Sequence, residues 1–243
     1  MTQEQKILFV GNTGSGKSHL LNHLGGTFTS GVSENGEGVT RNYEMAPCPV
    51  FPNTKLVDTP GLIEETDERM RENAEQIVAA LRTGGSFKVV LVMGDSSGRI
   101  DLYTTVLLKK LHDTLIDPSM KIGFIFNKTP QNVFDKIEGV AEGQIKRYNK
   151  YIGNRISSHL VLKLADGDAA ETIELENSER LTKYIGNMEA HDLLPEKVKE
   201  GGMTTTTEEL EWWQRWWNEV KDFFASGKVV GAVVTALGAI TTI

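Results

Sequence analysis

The residues Gly11-Asn12-Thr13-Gly14-Ser15-Gly16-Lys17-Ser18 satisfy the pattern G-x-x-x-x-G-K-[ST] at every fixed position. No other feature constrains the fold as much. Residues 6–10 (Lys-Ile-Leu-Phe-Val) read as a short buried strand, and 18–24 as a helix stopped by Gly25-Gly26. In a strand–loop–helix of this kind, glycines let successive backbone N–H groups turn inward to cradle phosphate oxygens, and the helix N-terminus favours negative charge. Gly11, Asn12, Thr13, Gly14, Ser15, Gly16, Lys17, Ser18 and the following His19 are the expected phosphate-binding residues. Lys17 supplies a positive charge for the β- and γ-phosphates and Ser18 an oxygen ligand for Mg²⁺, so the chain is expected to bind a nucleotide.

Residues 55–57, 87–93, 121–126 and 158–164 form further apolar runs, separated by helical patterns over 65–81, 102–115, 134–152 and 178–190. Near-continuous Val, Ile, Leu and Phe strands suit a parallel sheet covered on both faces. The alternation predicts a doubly wound, mainly parallel α/β domain over residues 1–195, with its ligand at the carboxyl ends of the strands. Residues 196–207, with Gly201-Gly202 and Thr204–Thr207, read as a linker, and 27–40 as a loop. A net charge of −7 argues against a nucleic-acid partner. The single cysteine, Cys48, allows no internal disulfide, and with a polar N-terminus unlike a signal peptide it points to a reducing, cytoplasmic setting.

Later motifs narrow the nucleotide chemistry. Asp58-Thr59-Pro60-Gly61 directly follows a strand and fits D-x-x-G, in which Asp58 holds Mg²⁺ through a water and the Gly61 N–H touches the γ-phosphate. Thr40 is the candidate for the loop threonine that ligates Mg²⁺ and senses that phosphate; Thr27 and Thr29 compete but follow the first helix closely. The metal set is thus Ser18, Thr40 and Asp58, and the catalytic set Lys17, Thr40 and Gly61. Asn127-Lys128 ends a strand where N-K-x-D would read the base, but Pro130 replaces the aspartate that accepts from guanine. Leu62 follows D-x-x-G where a water-orienting glutamine often stands, so hydrolysis is expected to be slow; Glu64 and Glu65 lie nearby.

Together, Gly11–Ser18 followed by Leu20-Leu21-Asn22, Val39-Thr40, Asp58-Thr59-Pro60-Gly61-Leu62, and Val89–Val92 followed by Gly98-Arg99-Ile100 resemble the septin-like GTPases of the immunity-associated (GIMAP, or AIG-type) family, over roughly residues 5–190. The resemblance implies guanine nucleotide binding (GTP and GDP), low intrinsic turnover, and nucleotide-dependent dimers or polymers across the nucleotide face. It also implies membrane attachment through a C-terminal segment in many members.

That segment is residues 208–243, an amphipathic helix and an apolar tail. Trp212, Trp213, Trp216, Trp217, Val220, Phe223 and Phe224 recur at helical spacing near one face, and 229–243 carry no charge. The amphipathic part holds five acidic and two basic residues, a charge anionic lipid does not attract, and the tail is short for a spanning helix. Shallow membrane insertion of Trp212–Ile243 and docking on the domain or on a second copy both fit. Two overall uses also fit: a slow Mg²⁺-dependent GTPase switch, favoured by Lys17, Ser18, Thr40 and Asp58, and a non-hydrolysing assembly module, favoured by Leu62. An NTPase of relaxed base specificity rests on Pro130 alone.

Overall fold

The computed structural model describes residues 4–31, 39–94, 102–212 and 214–215. Backbone contacts divide the chain into two units, Met1–Thr205 and Thr206–Ile243. In the first, strands β1 (Gln5–Gly11), β2 (Glu44–Pro47), β3 (Thr54–Asp58), β4 (Gly85–Met93), β5 (Ile122–Thr129), β6 (Ile156–Lys163) and β7 (His191–Leu193) alternate with helices α1 (Lys17–His23), α2 (Asp67–Arg82), α3 (Leu102–Thr114), α4 (Phe134–Tyr151) and α5 (Ala170–Asn187). The strands form one mixed sheet in the order β2-β3-β1-β4-β5-β6. Pairings β3-β1-β4-β5-β6 are parallel, whereas β2 runs antiparallel to β3, and β7 lies antiparallel along Gly85–Phe87, before β5 joins β4 at Val89.

The period of two along a strand sets the layering. Leu8 and Val10 of β1, with Phe87, Val89 and Leu91 of β4, pack under α2, α3 and α4. Ile7 and Phe9, with Val90 and Val92, pack under α1 and α5. Both faces are therefore apolar and covered, which is why these strands read as unbroken hydrophobic runs. The carboxyl ends of β1, β3 and β5 deliver Gly11, Asp58 and Asn127 to one edge of the sheet.

The expected elements are present with shifted ends. Helix α2 begins at Asp67 rather than 65 because Thr66 is extended and its hydroxyl accepts from the Arg69 N–H at 3.3 Å. Helix α5 begins at Ala170 rather than 178; no side chain caps it, so its start leaves no signal. Strands β2 and β7 have no sequence signature, being short, antiparallel and dependent on a neighbour, and β2 ends on Pro47 at the sheet edge. Residues 196–205, expected as linker, are instead fastened to the end of α3. The Ile116 N–H donates to the Lys197 carbonyl and the Lys199 N–H to the Thr114 carbonyl, both at 2.9 Å, and Met203 is fully buried.

In the second unit, residues 207–212 and 214–215 are helical, and Thr206 caps them by accepting from the Glu209 N–H at 3.1 Å. Trp213, Trp216, Trp217, Val220, Phe223, Phe224 and the apolar tail lie outside the described residues. Among the described residues no helix is long and apolar enough to cross a membrane.

Candidate nucleotide site

The phosphate loop turns between β1 and α1. The Ser15 N–H donates to the Asn12 carbonyl at 3.2 Å, and Gly14 and Gly16 sit at φ +75° and +91°, a region open chiefly to glycine. Gly16 has a second reason to be glycine, since a Cβ there would stand 2.5 Å from Asn127 Nδ2. Lys17 folds back into the loop, donating from Nζ to the carbonyls of Gly11 (3.2 Å) and Asn12 (3.1 Å). Burial lowers its pKa to about 8 against the opposing pull of Asp58 and Glu64. Among the described residues, the ammonium is thus held by carbonyls without a direct counter-ion, in a setting an incoming phosphate would relieve.

Three hydroxyl and carboxylate oxygens from three separate segments converge beside it. Ser18 Oγ donates to Asp58 Oδ2 at 2.6 Å, Thr40 Oγ1 donates to the same oxygen at 3.1 Å, and the two hydroxyls are 3.3 Å apart. Asp58 is almost wholly buried, which raises its pKa, while Ser18, Lys17 and Thr40 pull it down. Its Oδ1 is buried and has no hydrogen-bond partner among the described residues. A buried carboxylate oxygen left open beside two hydroxyls is a donor set suited to a hard divalent cation, so Ser18, Thr40 and Asp58 fit Mg²⁺. Of the competing threonines, Thr27 and Thr29 are both exposed, and only Thr29 reaches the cavity wall.

The loop after β3 lies against the phosphate loop. A Cβ on Gly61 would fall 2.3 Å from the Thr13 backbone nitrogen, so the two backbones touch with no room for a side chain. Asn73 of α2 holds the Gly61 carbonyl at 2.7 Å, and buried Thr59 donates to the Phe9 carbonyl at 2.7 Å. Leu62 is fully buried in the core. Glu64 does reach the loop: Thr13 Oγ1 donates to its Oε1 at 2.5 Å.

Asn127 and Lys128 close the other side of the loop, Nδ2 donating to the Ser15 carbonyl (2.9 Å) and Nζ to the Gly14 carbonyl (2.7 Å). Lys128 sits at φ +55°, an uncommon conformation for a lysine, and strand β5 continues past it to Thr129. The cavity over these groups measures about 410 Å³, and its far wall is Lys163, Leu164 and Ala165. Asn177 of α5 pins that wall with a pair of hydrogen bonds to the Lys163 backbone. Pro130 is not part of the lining, and Asp135 is exposed at the start of α4. His19 lines the cavity, but its imidazole turns toward Glu174 of α5 at 3.2 Å.

A model of the family described as 50S ribosome-binding GTPase matches residues 6–128, from the first strand through Lys128. The chain belongs to this GTPase family. The family is one of GTP-binding P-loop proteins, and the matched span contains the phosphate loop, Asp58–Gly61 and Asn127-Lys128 of this GTPase. Solved structures similar to it include a variant of NFeoB from S. thermophilus bound to GDP·AlF4⁻ (15% identity, TM-score 0.44, covering 73% of this chain and 64% of that one). An Era variant from Aquifex aeolicus bound to GDP·AlF4⁻ shares 15% identity at a TM-score of 0.48, covering 73% and 57%. The bacterial selenocysteine-specific elongation factor EF-Sec shares 18% at 0.47, covering 77% of this chain and 30% of that one. No curated protein matches the GTPase.

Sequence reasoning missed the wall formed by Lys163, Leu164 and Ala165. Its one signal is position, a turn at Asp166-Gly167 just past the carboxyl end of a strand. Glu174, Asn177 and Asn73 gave none, because each acts from a helix whose neighbours are set only by folding.

Proposed function

We propose that this GTPase is a Mg²⁺-dependent guanine-nucleotide switch that hydrolyses GTP slowly and assembles with nucleotide state across its nucleotide face, peripherally at a membrane, in the manner of the septin-like immunity-associated GTPases. The observation that carries the reading is the convergence of Ser18, Thr40 and Asp58 on one point beside Lys17. Three segments that share no secondary structure meet there, so the state of that point reaches two loops at once. Mg²⁺, when bound, would be held by these oxygens and would neutralise charge on the β- and γ-phosphates.

The chain's own residues supply the rest. Loop N–H groups from Thr13 to Ser18 cradle the phosphates, and Lys17 exchanges two carbonyls for phosphate oxygens, offsetting charge that grows on the transferred group. Thr40 and Gly61 report the γ-phosphate, the first through its hydroxyl and the second through its N–H. Asn127 and Lys128 orient the base, with Lys163–Ala165 forming its far wall. Slow turnover follows from Leu62, whose burial removes the usual water-orienting position from the site.

Leu62 also favours a second reading, in which bound nucleotide serves assembly and hydrolysis is negligible. Mg²⁺-dependent binding of fluorescent GDP, competed by GDP, GTP, ADP and ATP, tests the site. Guanine preference of about a hundredfold or more is expected, and Lys17→Ala should abolish binding. Equal competition by adenine nucleotides, or unchanged affinity in the variant, defeats the assignment. Single-turnover hydrolysis over a protein concentration series separates the switch from the assembly module, and flotation with liposomes, with and without 208–243, tests attachment.

A further inference from the structure

Beside the Mg²⁺ donor set, at the cavity edge, α1 and α5 bring together two imidazoles and a carboxylate. His19 and His23 stand four apart on α1 and so share a face. Both turn toward Glu174 of α5. His19 Nε2 lies 3.2 Å from Glu174 Oε1, His23 Nε2 lies 2.7 Å from Oε2, and the two Nε2 atoms are 3.2 Å from each other.

We infer that His19, His23 and Glu174 form a site for a divalent transition-metal ion of the Zn²⁺ class, at the rim of the cavity and separate from the Mg²⁺ donors. Spacing is the first reason. Ligands about 2.0–2.1 Å from a tetrahedral ion stand roughly 3.3 Å apart; two of the three separations, at 3.2 Å, match this, and the 2.7 Å between His23 and Glu174 would open slightly around an ion. The second reason is proton arithmetic. Each neutral imidazole has one N–H, so if both Nε2 atoms are protonated toward the carboxylate, two donors face each other at 3.2 Å. If only one is, the other presents a lone pair to the carboxylate. No assignment of neutral tautomers satisfies all three contacts, whereas one cation among them does. Access is the third. The His19 side chain is 51% exposed and that of Glu174 35%, leaving an ion a path from solvent and an open fourth position.

Two imidazole nitrogens and one carboxylate oxygen suit Zn²⁺, Co²⁺ or Ni²⁺ far better than Mg²⁺, which demands oxygen ligands. The ion would clip α1, which carries the end of the phosphate loop, to α5, which pins the far wall through Asn177. A plain His–Glu ion pair between the helices is the competing explanation, and it predicts no metal affinity.

The test uses the full chain, stripped with chelator and kept in millimolar Mg²⁺. Zn²⁺ is titrated calorimetrically, and Co²⁺ is followed in the visible region. One equivalent of Zn²⁺ is expected, with intense Co²⁺ d–d bands of low coordination number. His23→Ala and Glu174→Gln should each weaken Zn²⁺ by roughly tenfold or more and remove those bands. Far-UV circular dichroism shows whether each variant remains folded. Absence of Zn²⁺ binding by the wild type, or binding unchanged in both folded variants, overturns the assignment.

Discussion

Gly61→Ala is the sharpest probe of how the loop after β3 meets the phosphate loop. A Cβ built on Gly61 stands 2.2 Å from Thr13 Oγ1, 2.3 Å from its backbone nitrogen and 2.6 Å from its Cα, where ordinary contact begins at 3.4 Å. Rotating the threonine hydroxyl clears only the first of these clashes, so one backbone must move by about 1 Å. The Thr13 side is the stiffer. Asn12, its neighbour, accepts from both Ser15 N–H and Lys17 Nζ, and Gly14 and Ser15 are held by Lys128 and Asn127. The Gly61 side is held by Asn73 at its carbonyl and yields first. Overpacking of this kind costs about 1–3 kcal/mol, or roughly five- to 150-fold in an equilibrium constant. The loss should fall on the GTP complex, whose γ-phosphate needs the Gly61 N–H, and spare GDP. Stopped-flow binding of fluorescent GDP and of a non-hydrolysable GTP analogue, with single-turnover hydrolysis, measures both. GTP affinity and turnover within twofold of wild type would refute the argument. An equal loss for GDP would show that the phosphate loop had moved instead.

Asp58→Asn keeps the size of the side chain but removes the charge that joins Ser18 to Thr40, so Mg²⁺ should no longer tighten nucleotide binding by more than a fewfold; a Mg²⁺ titration of GDP affinity checks this. Leu62→Gln should not accelerate hydrolysis. Because Leu62 is fully buried, the amide is forced into the core at about 2–3 kcal/mol, lowering the melting temperature by roughly 5–10 °C in a calorimetric scan. Tyr184 sets an alkaline limit. Burial raises its pKa from 10.0 to about 12, where its hydroxyl accepts from the Phe124 N–H at 3.0 Å. The unfolded chain loses this proton first, so stability falls as pH rises from about 10 to about 12, by roughly 3 kcal/mol. Tyr184→Phe should flatten that part of the curve in urea titrations, while losing about 1–3 kcal/mol at neutral pH through the unpaired N–H.

Whatever depends on neighbours along the chain could be read from the residues in order. Periods and caps are local, so the parallel strands, the phosphate loop, the turn at Asp58–Gly61 and the placing of Asn127-Lys128 near the carboxyl end of a strand were all legible. Their convergence was legible too, because parallel strands present their carboxyl ends at one edge. Tertiary structure alone decided the rest. Strands β2 and β7 exist only because β3 and β4 offer them free backbone groups, and residues 196–205 became part of the domain because the carbonyl of Thr114 and the N–H of Ile116 needed partners. Thr40 is singled out by its place in the loop, but the hydrogen bond that joins its hydroxyl to Asp58 depends on tertiary structure. Glu174 is one glutamate among several on α5, and no spacing links it to His19 and His23, 155 and 151 positions away. Only the packing of α1 against α5 on one face of the sheet brings those three side chains together, since a contact between helices is fixed by the shape of the core they share.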